Sequence, residues 1–168
     1  VRVSYSGVPK PAKEGPLTVG WQEQNGYIFT LDEPAGAASW FPSNDHPSDK
    51  ATYEFRITVP KPDVAAANGV LVATEDQGAG QTFVWEMREP MATYLAQVSA
   101  GDYVVQTGAS PGGVPIRNYF APSLSDRATA AFGRTGEILD YFAGLFGPYP
   151  FDAYGVVVPP ADLGAAME

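Results

Sequence analysis

The sequence predicts a mainly β fold, and three observations carry this prediction. Apolar and polar residues alternate with a period of two from Tyr53 to Val59, and again from Phe83 to Met87. Such alternation is typical of a half-buried strand. Glycine and proline are frequent, with 18 and 16 residues, and they fall between the apolar segments where turns are expected. Many short strands separated by turn signals indicate a β-sandwich or large twisted sheets.

Nine segments have the composition of short strands. We predict them at 1–5, 17–21, 27–31, 53–59, 70–73, 83–87, 94–99, 103–107 and 114–119. Pro60 closes the fourth of these, because a residue without an N–H cannot continue a ladder. The Gly-rich segment 76–80 is suited to a hairpin between two strands.

The pattern changes near Pro122, after which apolar residues recur at intervals of three and four. This spacing predicts one helix over 123–146, with Ser123 as its N-cap and the Gly147-Pro148 pair as its stop. A short buried strand is expected at 154–158. The apolar stripe of the helix must be covered by something, so we expect self-association if the chain is studied alone.

Composition excludes several classes of function. The chain carries 19 acidic against 10 basic residues, a net charge of −9, which argues against binding to nucleic acid or to an anionic membrane surface. It has no cysteine and a single histidine, so it cannot form disulfides or a zinc site that needs two histidines. No segment approaches the ~20 apolar residues of a membrane span. Both ends look cut, so we expect a fragment of a longer protein.

The single histidine, His46, lies in a polar segment with Asp45 and Asp49. These three residues could in principle bind a metal ion. The alternative is a turn-forming loop that leads into the strand at 53–59, and the residue types favour it. No His-Glu-x-x-His motif, phosphate-binding loop or nucleophile elbow occurs in the sequence.

Four strings resemble the aminopeptidase N family, and they occur in the family's order. Residues 33–52, which include Trp-Phe-Pro and Asp-His-Pro, resemble the segment in which an acidic residue or Gln precedes the family's Trp-Phe-Pro string. Pro-Met-Ala-Thr-Tyr-Leu at 90–95 resembles a string that opens a strand late in the N-terminal β domain. Tyr-Pro-Phe at 149–151 resembles the string after the first helix of the catalytic domain. Ala-Ala-Met-Glu at 165–168 resembles the start of the Gly-x-Met-Glu-Asn exopeptidase motif.

This resemblance implies a fold and a division into domains. Family members combine a saddle-like N-terminal β domain with a thermolysin-like catalytic domain. Residues 1–120 would then form the later part of the β domain. Residues 121–168 would form the opening segment of the catalytic domain, a helix followed by a strand, ending before the zinc-binding motif.

The resemblance also implies a function. The family are zinc peptidases that remove single residues from peptide N-termini, so the intact protein is expected to use zinc and peptide substrates, while this chain alone holds no zinc and no catalytic residue. Glu33 and Glu168 match the positions whose carboxylates hold the free α-amino group of the substrate. Ala165 and Ala38 stand where the family commonly has Gly and Arg.

One alternative function remains open at this stage. The chain could be a free-standing acidic β-sandwich that binds a partner through exposed aromatic residues and has no catalytic activity. Large aromatic residues such as Trp40, Phe41, Trp85 and Tyr94 are nevertheless more typical of a core than of a ligand platform. The absence of cysteine and of a signal sequence suits a cytoplasmic protein.

Overall fold

A computed structural model describes residues 1–161 and 166–167 and confirms the mainly β fold, with three sheets and two helices near the C-terminal end. The strands are β1 (Ala12–Glu14), β2 (Leu17–Gln24), β3 (Tyr27–Leu31), β4 (Ala51–Pro60), β5 (Val64–Ala67), β6 (Val70–Asp76), β7 (Gly80–Met91), β8 (Val98–Gly101), β9 (Val104–Ala109), β10 (Pro115–Phe120) and β11 (Val157–Val158). The helices are α1 (Ser125–Phe132) and α2 (Thr135–Phe146), with short 3-10 helices at Ala37–Ser39, Thr93–Leu95 and Pro122–Leu124. None of the helices in the described part of the chain could span a membrane.

The first sheet carries the candidate site at one strand end. Its order is β1-β2-β3-β8-β5, and all neighbouring strands are antiparallel. β2 and β3 form a tight hairpin in which Gln24 pairs with Tyr27 across Asn25 and Gly26. Both turn residues have positive φ, as two-residue hairpin turns of this kind require. The chain leaves β3 after Leu31 and enters the loop that contains Glu33.

The second sheet is a three-stranded antiparallel sheet in the order β4-β7-β6. β7 is central and buried on both faces from Thr82 to Trp85, whereas β4 buries only alternate residues. The predicted hairpin at 76–80 is confirmed, because Asp76 pairs with Gln81 across it.

The third sheet contains strands from both sides of the predicted domain boundary at 120/121. β9 and β10 form an antiparallel hairpin, and β11 lies parallel to β10. Tyr154 also bridges Ile116. Residues after 121 thus complete a sheet that begins before 120. Of the buried strand expected at 154–158, only Val157 and Val158 form a strand, and both are half-buried. The division at 120/121 stays a prediction.

The main core lies where the three sheets meet. It contains side chains from every sheet: Val59, Ala65, Ala66, Phe83, Trp85, Ala100, Tyr103 and Tyr119. A second, smaller cluster of Met87, Met91 and Ala96 packs against Trp40 and Phe41. The aromatic residues Trp40, Phe41 and Trp85 therefore belong to the packing, as the sequence suggested.

Three local predictions were wrong. Residues 1–5 form no strand; they lie exposed and pair with no strand in the described part of the chain, where the Tyr5 hydroxyl donates to the Trp40 carbonyl at 2.8 Å. The segment 94–99 begins as the 3-10 helix Thr93–Leu95 and becomes a strand only at Val98. The string at 90–95 therefore ends a strand instead of opening one.

The third error concerns the single helix predicted over 123–146. Ser123 lies within the 3-10 helix Pro122–Leu124 and is not the N-cap; α1 begins at Ser125. The helix also breaks after Phe132, where Gly133 weakens it and the Thr135 hydroxyl donates to the Phe132 carbonyl at 2.8 Å. α2 restarts with the Ile138 N–H bonded to the Arg134 carbonyl.

Candidate functional site

Glu33 lies in an exposed loop directly after β3, at the edge of a groove. The groove has a volume of about 690 Å³ and is lined by apolar residues that include Leu17, Phe29, Leu31 and Met167. Glu33 and Glu23 also line it, and no lysine or arginine does so among the described residues. A groove with this lining is suited to a cationic group that carries an apolar body.

The Glu33 carboxylate is available for a ligand. Within the part of the chain that the structure describes, it makes no hydrogen bond and no ion pair. Its backbone, by contrast, belongs to a tight turn in which the Gly36 N–H donates to the Asp32 carbonyl at 2.6 Å. A free carboxylate on a constrained backbone is suited to binding a positively charged partner.

Asp32, the residue before Glu33, is completely buried. Its two carboxylate oxygens both accept the indole N–H of Trp40, each at 3.0 Å. Burial raises the pKa of Asp32 to about 7; the Trp40 hydrogen bond opposes this rise and the negative charge of Asp45 adds to it. The group therefore titrates near neutral pH.

The loop after β3 packs against β2 through two glycines. A Cβ on Gly36 would lie 2.5 Å from the Gly20 nitrogen and 2.9 Å from the Asp32 Cα. Gly20 has a φ of +81°, and a Cβ there would meet the Ser39 hydroxyl. This close backbone approach is possible only because neither residue carries a side chain.

Asp45 ties the same loop to the segment at 90–95. Its carboxylate accepts the Ala38 N–H at 3.1 Å and the Thr93 hydroxyl at 3.0 Å. Two of the four strings singled out in the sequence are thus in direct contact. Their shared role in the structure is to hold the loop that begins at Asp32.

The C-terminal string at 165–168 also contacts the loop that begins at Asp32, through Met167. The backbone N–H of Asp32 donates to the Met167 sulfur at 3.1 Å. Asp32 precedes Glu33 in sequence, and Met167 precedes Glu168. Glu168 itself lies outside the described residues, so the contact between its neighbour and the Glu33 loop is what the structure shows of this second candidate.

The segment around His46 has the character of a loop. The His46 Nδ1 lies 2.8 Å from the Ser48 hydroxyl and 3.3 Å from the Ser48 nitrogen, and the Asp49 N–H donates to the His46 carbonyl. The Asp45 carboxylate is occupied by Ala38 and Thr93, as described above. Among the described residues no three His, Asp or Glu side chains are placed to hold a metal ion. These residues do not fit a zinc centre.

Sequence reasoning missed Asp32. In the string Asp32-Glu33-Pro34 both acids look solvated, and nothing in the sequence distinguishes the buried one from the exposed one. The only available signal was Trp40, since a buried indole N–H requires an acceptor. That requirement does not by itself identify which nearby carboxylate provides it.

Comparison with known proteins defines the class to which this fold and loop belong. Residues 18–95 match the model of the Peptidase M1 N-terminal domain. The structure superposes on that of an M1 zinc metallopeptidase from Deinococcus radiodurans with a TM-score of 0.84 and 33% sequence identity, over 93% of this chain and 37% of that one. The class is therefore that of M1 zinc metallopeptidases.

Curated relatives narrow the assignment. The chain is 31% identical to Aminopeptidase N of Acetobacter pasteurianus, over 99% of this chain and 48% of the relative. It is 33% identical to human Glutamyl aminopeptidase over 71% of this chain and 12% of the relative. The chain belongs to the aminopeptidase N family of zinc metallopeptidases, as its four strings indicated. The chain spans about half the length of the Acetobacter relative. It spans 37% of the Deinococcus enzyme and 12% of the human relative.

Proposed function

We propose that this chain is the part of a zinc aminopeptidase that helps to recognise the free amino terminus of a peptide, with Glu33 and Glu168 as the carboxylates that hold it. The observation that carries the proposal is the position of Glu33. Its carboxylate is unpaired among the described residues, lies at a groove without basic residues, and sits one residue from the contact with Met167.

The chemistry follows from charge. A peptide α-amino group is largely protonated up to a pH near its pKa of about 7.7–8.0. A carboxylate attracts it and fixes its distance from the reacting carbonyl, which is what an enzyme that removes one terminal residue requires. One structural relative, the Deinococcus enzyme, has been captured as a variant bound to a Tyr-Ser-Ala substrate. By analogy we assign peptides as substrates to the intact protein.

We assign the catalytic zinc of the intact protein to residues other than those of this chain. Its single His and the absence of His-Glu-x-x-His support this assignment. The 168-residue chain alone is then expected to be inactive on aminoacyl chromogenic substrates, even with added zinc. Turnover that a chelator abolishes would contradict the assignment, as would a reading frame that ends at Glu168.

The role of Glu33 is tested by Glu33→Gln in the complete gene product, with Glu23→Gln as a matched control. Both residues line the groove, and both substitutions remove one carboxylate charge. Loss of a charge-assisted hydrogen bond of roughly 1.5–3 kcal/mol predicts a 10- to 100-fold lower kcat/KM for Glu33→Gln. Glu23→Gln should stay within about twofold. Equal effects of the two substitutions would contradict the assignment of Glu33.

A further inference from the structure

The carboxyl of Asp32 plays no part in the proposed binding of the amine, yet it is completely buried in the loop that carries Glu33. A carboxyl removed from water loses several kcal/mol of hydration unless it is well paired, and an apolar residue would pack here without that loss. Asp32 is 0% exposed, and among the described residues its carboxylate has one hydrogen-bond partner, the Trp40 indole. We therefore looked to the contacts of Asp32 for a role of this carboxyl in the site.

Three contacts converge on this one residue. Its carboxylate accepts the Trp40 N–H, its carbonyl accepts the Gly36 N–H, and its own N–H donates to the Met167 sulfur. Asp32 thereby connects the Glu33 turn to Trp40 on one side and to the C-terminal segment on the other. Trp40 is itself held in place by a ring contact with Phe41 at 4.6 Å.

We propose that Asp32 is a positioning residue for Glu33: its carboxylate, clamped by Trp40, fixes the turn that carries the Glu33 carboxylate and ties this turn to Met167. Because Glu33 has no side-chain partner among the described residues, its place is set by its backbone, and Asp32 holds that backbone from the adjacent position. We call the hydrogen bond between the Asp32 carboxylate and the Trp40 indole, with the turn that it holds, the clamp. The identity of the ligand rests on the proposed function, whereas the clamp does not.

The strength of the clamp depends on the charge of Asp32. The ionised carboxylate offers two acceptor oxygens to the indole, whereas protonation converts one of them into a hydroxyl. Asp45, from the loop between the 3-10 helix Ala37–Ser39 and β4, is the charged group that acts on Asp32 in the described structure; the other contacting side chains, Trp40 and Met167, do not titrate. The indole hydrogen bond should therefore strengthen as the pH rises through neutrality, although charging a buried carboxyl lowers the stability of the fold as a whole.

The clamp is tested in the 168-residue chain by NMR, with Asp32→Asn, Trp40→Phe and Glu33→Gln. In the wild type, the Trp40 indole resonance should shift with pH with a midpoint near 7; Glu33→Gln should keep this titration and Asp32→Asn should abolish it. Both Asp32→Asn and Trp40→Phe should lower the hydrogen-exchange protection of the Gly36 amide at least tenfold. The amides of β7 serve as the internal reference and should change less than twofold.

Two outcomes separate this inference from the proposed function. If Gly36 protection and the indole titration are unchanged in Asp32→Asn, the clamp is refuted, whatever Glu33 does. In the complete gene product, Asp32→Asn should raise KM more than it lowers kcat, because the amine is held less well. If Asp32→Asn loosens the turn while Glu33→Gln leaves turnover unaltered, the clamp stands and the amine assignment fails. If Asp32→Asn unfolds the chain, Trp40→Phe provides the same test with Asp32 intact.

Discussion

The backbone N–H of Asp32 donates to the Met167 sulfur at 3.1 Å, across 135 positions of sequence. This contact brings the end of the chain against the loop that follows β3. The two residues proposed to hold the substrate amine, Glu33 and Glu168, are the next residues after this pair. A site assembled from two distant segments depends on their docking, so weakening this contact should be felt at Glu33.

Met167→Ala removes the sulfur acceptor and leaves the Asp32 N–H without a partner in the described structure. We expect hydrogen exchange of the Asp32 amide to accelerate by about tenfold or more, because the backbone donor becomes accessible to water. Ala166→Gly, one residue earlier, keeps the sulfur and should leave the exchange nearly unchanged. An Asp32 amide that exchanges equally fast in both variants would show that the C-terminal segment does not protect the loop.

The sequence predicted the long strands because their burial follows from alternation alone. β4 shows this: the half-buried residues Tyr53, Phe55 and Ile57 alternate with exposed polar ones. β1 and β5 were missed, because Ala-Lys-Glu and Val-Ala-Ala-Ala are short and carry no alternating signal. β1 pairs with the adjacent β2, whereas β5 pairs with β8, which is distant in sequence. Residues 1–5 alternate apolar and polar side chains but pair with no strand in the described structure. Alternation alone therefore does not make a strand.

The site was predictable only where the sequence resembled a known family. Glu33 and Glu168 were identified as substrate-binding residues from that resemblance, and this role remains a prediction. Asp32 could not be found, because its burial results from the approach of Gly36 to Gly20 and from the packing of Trp40. Both are tertiary effects between segments that local propensity treats separately.

Asp32 should make the stability of the chain depend on pH. Its pKa is raised from 3.8 to about 7 in the folded state, so the folded protein binds a proton more tightly than the unfolded one. Stability from this group is complete below about pH 4 and is lost as the pH rises through 7. Between pH 5 and pH 8 the loss is on the order of 2–3 kcal/mol.

Urea unfolding at pH 5 and pH 8 measures this effect. Asp32→Asn should flatten the pH dependence relative to the wild type. Glu33→Gln removes a neighbouring charge at the surface and controls for general repulsion among the acidic residues. The same slope in the wild type and in Asp32→Asn would exclude Asp32 as the titrating group.

Gly36→Ala and Gly144→Ala are the same chemical change with opposite expected results. A Cβ at Gly36 would lie 2.5 Å from the Gly20 backbone nitrogen, so the substitution should destabilise the chain by about 1–3 kcal/mol. Gly144 lies in α2 with no atom within 4 Å of such a Cβ, so alanine should stabilise by about 0.5–1 kcal/mol. Urea midpoints decide the comparison, and a neutral Gly36→Ala would mean that the loop can move away from β2.

Asp140 anchors α2 to the β9–β10 hairpin. Its carboxylate accepts the Ser110 hydroxyl at 2.7 Å and the Gly112 N–H at 2.6 Å. Asp140→Ala should cost about 1–3 kcal/mol, because both donors lose a charged acceptor. Glu137→Ala on the same helix removes only an exposed i,i+3 ion pair with Arg134 and should cost about 0.5 kcal/mol or less. Thermal unfolding of the two variants tests this difference; equal losses would show that the helix is not held through Asp140.

The anchor at Asp140 leaves the apolar face of α2 towards solvent. This face consists of Ile138, Tyr141, Phe142, Leu145 and Phe146, which are all exposed; Phe146 is 81% exposed. Phe142 and Phe146 stack with ring centroids 5.9 Å apart and form its centre. Contiguous aromatic surface of this kind favours association, so we expect the isolated chain to self-associate as its concentration rises.

The net charge of −9 opposes this association, so salt should strengthen it. Sedimentation equilibrium at 50 mM and 500 mM NaCl measures both effects. Phe142→Ser combined with Phe146→Ser should yield a monomer at either salt concentration, because the substitutions remove the two central rings. Val72→Ser, which removes an exposed apolar side chain from β6 in another sheet, should associate like the wild type. A wild-type chain that stays monomeric at high salt and high concentration would show that the α2 face does not drive self-association.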